Sequence, residues 1–160
     1  MNRRAKMQVT AAMAMLLLAG VFFYFSYAQS SPVAKAYFYD QSKGELFEAD
    51  SNLIPPIRGV DGPEEDGVRA VVVADDPSDK KSRRIAYLER FAPELKRDME
   101  EARARHSAPM IGRGAAQALR FVRRASDKEW SPLISAEGQR IVNEWTAPGP
   151  NGQSAMVCTP

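Results

Sequence analysis

Val68-Arg-Ala-Val-Val-Val-Ala74 is a run with one polar residue in seven. A short apolar run bounded by turn-forming residues reads as a strand covered on both faces, and so as the centre of a sheet. Gly67 precedes it, and Asp75 to Lys81 (DDPSDKK) follows it as a turn. The next stretch, Arg84 to Phe91 (RIAYLERF), alternates Ile85 and Tyr87 with Ala86 and Leu88. That pattern fits a strand or a helix. Next to a turn, the expectation is a strand paired with Val68–Ala74.

Upstream, Lys35 to Ala49 (KAYFYDQSKGELFEA) predicts a β-hairpin. Tyr37, Phe38 and Tyr39 are strand formers. Asp40-Gln-Ser-Lys-Gly44 supplies the turn, with Gly44 free to take positive φ. Leu46 and Phe47 resume the strand. Ser51 to Gly67 (SNLIPPIRGVDGPEEDG) holds three prolines and three glycines. It predicts an ordered excursion in which Leu53, Ile54, Ile57 and Val60 can be buried. Downstream, Pro93 to Arg105 is the best helix, with Pro93 at a first helical position and Leu95, Met99 and Ala102 on one stripe. Ser107 to Gly114 breaks the pattern. Ala118 to Arg124 reads as a strand. Ser135 can cap a helix reaching Trp145, with Ile141, Val142 and Trp145 on one side. Thr146 to Gly152 is a loop, and Ser154 to Cys158 a last strand. The predicted architecture is α+β: an antiparallel sheet of about five strands with two helices over residues 35–160, near the usual size of one small domain.

Residues 9–28 (VTAAMAMLLLAGVFFYFSYA) carry no charge. These 20 residues, at about 1.5 Å rise each, span about 30 Å, one bilayer core. The expectation is a cytoplasmic tip at residues 1–7, an N-terminal transmembrane helix at 8–28 and a tether at 29–34. Arg3, Arg4 and Lys6 place the tip inside and the domain on the periplasmic side. Phe22, Phe23, Tyr24, Phe25 and Tyr27 suit the headgroup level at the far end. The rival is a cleaved secretory signal ending Ser26-Tyr27-Ala28 before Gln29. The apolar run is longer than the roughly 7–15 residues of a signal core, and the aromatic cluster suits an interface, so retention is preferred. Either reading exports the domain.

The chain has 22 Lys and Arg against 20 Asp and Glu, and three of the bases precede the apolar run. The exported part is therefore nearly neutral, with no electrostatic footprint for nucleic acid. Cys158 is the single cysteine, which excludes an internal disulfide. At the chain end it reads as structurally dispensable, with any disulfide joining two chains.

His106 is the one histidine. At the end of the predicted helix it meets the negative end of the dipole, which explains it without catalysis. No G-x-S-x-G elbow accompanies it. Asp75, Asp76 and Asp79, and Asp61, Glu64, Glu65 and Asp66, lack the spacing of a calcium loop. Gly112-Arg-Gly114 is only a fragment of a phosphate loop. No catalytic, cofactor-binding or metal residue is predicted. The aromatic residues are needed mainly for the core; those that project outward, Tyr37, Tyr39, Trp130 and Trp145, are the candidate partner surface.

The order AYFYDQSKGELFEA, NLIPPI, GVRAVVV and RRIAYLERFAPELK, over Tyr37 to Lys96, resembles a group of uncharacterised single-span membrane-anchored proteins of planctomycete-type bacteria. The group has no assigned activity. Its members carry a cysteine pair after the VVV-type strand; here Asp75–Asp79 has none, so the resemblance implies no disulfide or metal there.

The expected function is a membrane-tethered, non-catalytic interaction or structural subunit. It would contact the bilayer through residues 9–28 and another envelope or membrane protein through its domain, with no cofactor and no nucleic acid. The alternative is a tethered hydrolase or other enzyme with a site assembled around His106.

Overall fold

The structure is a computed structural model that describes residues 13, 15–24, 34–149 and 152–160. The chain divides into two units, Met1–Val33 and Ala34–Pro160.

In the first unit, residues 15–24 form helix α1. Leu16, Leu17, Leu18, Phe22 and Phe23 are each at least 67% exposed, and the two phenylalanine rings meet edge to face at 6.5 Å. The expected tip at 1–7 and residues 8–12, 14 and 25–33 of the expected anchor and tether lie outside the described residues. No helix among the described residues is long and apolar enough to cross a membrane.

The second unit is α+β. Its strands are β1 (Lys35–Asp40), β2 (Glu45–Asp50), β3 (Gly67–Ala74), β4 (Arg84–Phe91), β5 (Arg120–Arg123), β6 (Ser131–Pro132) and β7 (Met156–Cys158). Its helices are α2 (Pro93–Ala104), α3 (Arg113–Ala118) and α4 (Ala136–Glu144), with a 3-10 turn at Lys80–Ser82. All pairings are antiparallel, in the order β2-β1-β3-β4-β5-β6, with β7 beside β3.

The Val68–Ala74 run is the hub. One edge of β3 pairs with β4 from Arg69 to Val73. The other edge seats two strands end to end: β1 at Gly67–Arg69 and β7 at Val72–Ala74. Both faces are covered, as a run without polar alternation requires. The first face carries Val68, Ala70, Val72, Ala74, Leu88 and Cys158. The second carries Val122, Leu133 and Ile141, with Tyr87 and Val142 against them. Ile141 and Val142 belong to α4, so the helix covers the second face at β4, β5 and β6.

The structure corrects five expectations. The sheet has seven strands, not about five. The missed strand β6 is two residues long, ends in Pro132 and sits at the sheet edge, where a residue without an N–H is tolerated. The unit has three α-helices, not two. Ala118 closes α3 rather than opening a strand; RGAAQA is rich in helix formers but too short to show a period. In β4 the register slips between Val71↔Tyr87 and Val72↔Ile85, leaving Ala86 as a bulge. Ile85 therefore shares a face with Leu88, not with Tyr87. Of Leu53, Ile54, Ile57 and Val60 only Ile54 is buried, beside Pro55; Leu53 and Val60 are exposed. Finally, Cys158 is not a loose end. It is 8% exposed, packs in the first-face core and holds β7 against Val72.

Candidate functional site

Strand alternation decides which aromatics reach which face. Phe38 pairs with Arg69 and turns to the second face, where its ring lies 5.9 Å from Phe47 and 5.5 Å from the Arg69 guanidinium. Tyr37 and Tyr39, one residue either side, turn to the first face. There they pack on the Val68–Leu88 core together with Ile85 and Trp130. No helix contributes to this cluster. Tyr37, Tyr39 and Trp130 are each half-buried, so each has one side in the core and one in solvent.

Three arginines surround these aromatics. Arg83 donates to the Tyr37 hydroxyl at 2.8 Å. The Arg90 and Arg123 guanidinium carbons lie 4.6 Å and 4.9 Å from the Trp130 ring centroid. Arg123 is 9% exposed; it donates from Nη1 to the Asp127 carbonyl and from Nη2 to Gln41 Oε1 at 3.1 Å, while its Nε is buried without a partner. The Arg90 guanidinium touches the rings of Trp130 and Phe121 and, among the described residues, makes no ion pair or hydrogen bond. Burial, then the charge of Arg123, push the Arg90 guanidinium below its ordinary pKa. Asp127 offers no relief. Its carboxylate is held by Arg124, whose hydrogen bond pulls the Asp127 pKa down.

The fourth predicted aromatic, Trp145, is apart from this group. It follows α4 as its C-cap and lines a cleft of about 430 Å³ with Arg84, Arg124 and Glu144. Arg124 is held there by Glu144, Asp127 and Glu137, so that cleft is already neutralised.

On the second face a cleft of about 260 Å³ opens between the excursion and α2. It contains Glu89, which is 6% exposed and accepts from Arg120 Nε at 2.6 Å. Arg69 donates to the Ser51 and Leu53 carbonyls, and Arg103 to the Asn52 carbonyl. These bonds fasten the excursion to the sheet; they give Glu89 no second carboxylate to share a proton with. A third hollow, about 420 Å³ and mostly apolar, lies between α2 and α3 under Pro109 and Ile111. Asp98 fixes its wall by accepting from the Met110 and Ile111 backbone N–H groups at 3.0 and 2.9 Å.

His106 lines none of these clefts. It is exposed, with φ 50°, just past the Arg105 C-cap of α2. Its N–H bonds to the Arg103 carbonyl and that of Ser107 to the Ala102 carbonyl, the pattern of a helix ended by a left-handed residue. Among the described residues no group of three or more His, Cys, Asp or Glu side chains is placed to hold a metal. Asp76 and Asp79 instead cap their own turn, and Asp61 and Glu65 pair with Lys43 and Lys96.

Of the four aromatics named from sequence, the structure brings Tyr37, Tyr39 and Trp130 onto one cluster, and sequence reasoning did not single out the Arg90 and Arg123 that stand against Trp130. The available signal was alternation: in strands, Arg90 and Arg123 share a face with Leu88, and Trp130 lies beyond the next turn. No family model, curated protein or solved structure matches the chain.

Proposed function

We propose that this chain is a membrane-tethered, non-catalytic interaction or structural subunit of a bacterial envelope or membrane complex. One observation carries the reading: α1 is apolar all round and exposed all round. A helix that is apolar on every side needs an apolar surrounding on every side, which water does not supply. The uncharged sequence of residues 9–28 has a length that suits a bilayer, and Arg3, Arg4 and Lys6 favour an inside N-terminus. The domain then lies on the periplasmic side.

The docking surface is the helix-free face of the sheet, with Tyr37, Tyr39 and Trp130 among arginines. Tyr, Trp and Arg are the residues that carry most binding energy at protein interfaces. The partner is another envelope or membrane protein. The test is purification of the full chain from gently solubilised membranes, with Tyr37→Ala and Trp130→Ala as comparisons. A partner that co-purifies with the native chain and is lost from both folded variants is the expected result. Retention of every co-purifying protein by both variants would remove this face as the docking site.

A further inference from the structure

The inference here rests on the docking reading of the helix-free face and names the chemistry of what docks. We infer that the partner presents an aspartate or glutamate side chain, bound jointly by Arg90 and Arg123 beside Trp130.

Both guanidinium groups stand within 5 Å of one indole ring, at 4.6 and 4.9 Å. The ring stabilises a cation on its face, but two cations sharing it repel each other, and burial weakens the screening between them. No carboxylate of the described residues pairs with either arginine. This is not for want of acids. Arg84, Arg105, Arg120, Arg124 and Arg140 each have one or more. The one acid nearby in sequence, Asp127, turns its carboxylate to Arg124 and leaves Arg123 only a carbonyl. The pair is thus an uncompensated doublet of positive charge, which a bound anion would relieve.

The Arg90 guanidinium has no acceptor among the described residues, and the Arg123 Nε is buried without one. Arg123 is nine-tenths buried and tied to Gln41 and Asp127, so its orientation is set before anything binds. A guanidinium fork matches the two oxygens of a carboxylate, and a fork already stacked on an indole loses little freedom on binding. The rings of Trp130 and Phe121 give the doublet an aromatic border, which suits a side chain delivered on a polypeptide better than a free, fully hydrated ion.

The experiment uses the full chain in neutral detergent. Trp145→Phe leaves Trp130 as the one tryptophan, because the chain has two. Trp130 emission is titrated with a blocked oligoglutamate peptide, with oligoglutamine, with inorganic phosphate, and with phosphatidylglycerol in mixed micelles. The expected result is a saturable change with oligoglutamate only. It should weaken about tenfold or more in Arg90→Gln, as for loss of one charge-assisted bond, and weaken with added salt. Arg90→Gln is the informative variant because Arg90 is half-exposed; Arg123→Gln can fail to fold, so it is not relied on. No saturable change, an equal change with oligoglutamine, an affinity untouched by Arg90→Gln, or phosphate or phosphatidylglycerol binding as tightly as oligoglutamate would each overturn the inference. The docking reading fails differently. If the co-purifying partner is lost with Tyr37→Ala but kept with Arg90→Gln, the face still docks a protein and only the acidic ligand falls.

Discussion

Asp40 is fully buried at the end of β1 and carries a charge. It accepts from the Lys43 N–H at 2.9 Å, from the Ser42 N–H and hydroxyl at 3.0 and 2.9 Å, and from the Val60 N–H at 2.8 Å. It thus builds the hairpin turn and pins the excursion. The Lys43 N–H bond leads in holding its pKa down to about 2, from an ordinary 3.8, against the opposing effect of burial. A carboxylate with a lowered folded pKa stabilises the fold above its unfolded pKa and loses that contribution as pH falls through the folded one. The Asp40 contribution should therefore be complete above about pH 4 and decline toward pH 2. Urea midpoints of the native chain and Asp40→Asn should differ at pH 6 and converge as the medium approaches pH 2; a gap that stays constant would show that the charge is irrelevant. Cys158 gives a second prediction at this scale. It sits among Val72, Ala74 and Leu88. Cys158→Ser places a hydroxyl in that apolar setting and should cost about 1–2 kcal/mol, read as a lower urea midpoint with unchanged slope. A midpoint within error of native would return Cys158 to the dispensable role that its place near the chain end suggests.

Among the elements, the β1–β2 hairpin and helix α4 show what a glycine can mean. Gly44 has φ 71° and closes the turn by donating to the Asp40 carbonyl at 2.9 Å. A β-branched residue is strained there, so Gly44→Val should cost at least about 1 kcal/mol. Thermal unfolding measures it, and an unshifted midpoint would mean that the turn relaxes. Gly138 has helical backbone, and its requirement comes from elsewhere. It lies in the first turn of α4, where its N–H bonds to the Ser135 hydroxyl at 3.0 Å. A Cβ there would stand 3.0 Å from Leu133 Cα and even deeper inside the Pro132 carbonyl oxygen. Gly138→Ala, which helix propensity alone would favour, should instead destabilise by about 1–3 kcal/mol through overpacking. A rise in stability would show that α4 moves off β6 without loss.

For the whole molecule, the central prediction is topology. Protease added to intact spheroplasts should digest the domain of residues 34–160, and the untreated chain should keep its full length. Full protection would reverse the orientation, and an N-terminus at Gln29 would replace the anchor with a cleaved signal. Much of the second unit is legible in residue order, because local rules govern it. The run from Val68 to Ala74 is the covered strand its composition suggests, Asp40 and Gly44 form the turn their chemistry favours, and Pro93 and Ser135 mark helix starts. The α+β class and antiparallel pairing follow from short connections between such elements. Tertiary structure decided the rest. One edge of β3 is shared by β1 and β7, which lie over a hundred residues apart in sequence; only that pairing buries Cys158. The Ala86 bulge reassigns Ile85 by one residue, a slip that period-two counting cannot register because it moves every later side chain to the opposite face. Arg90 and Arg123 read singly as solvated bases. They become a paired cationic site only because β4 and β5 lie side by side and the following loop returns Trp130 to both, and charge acts through distance in space, which residue order does not contain.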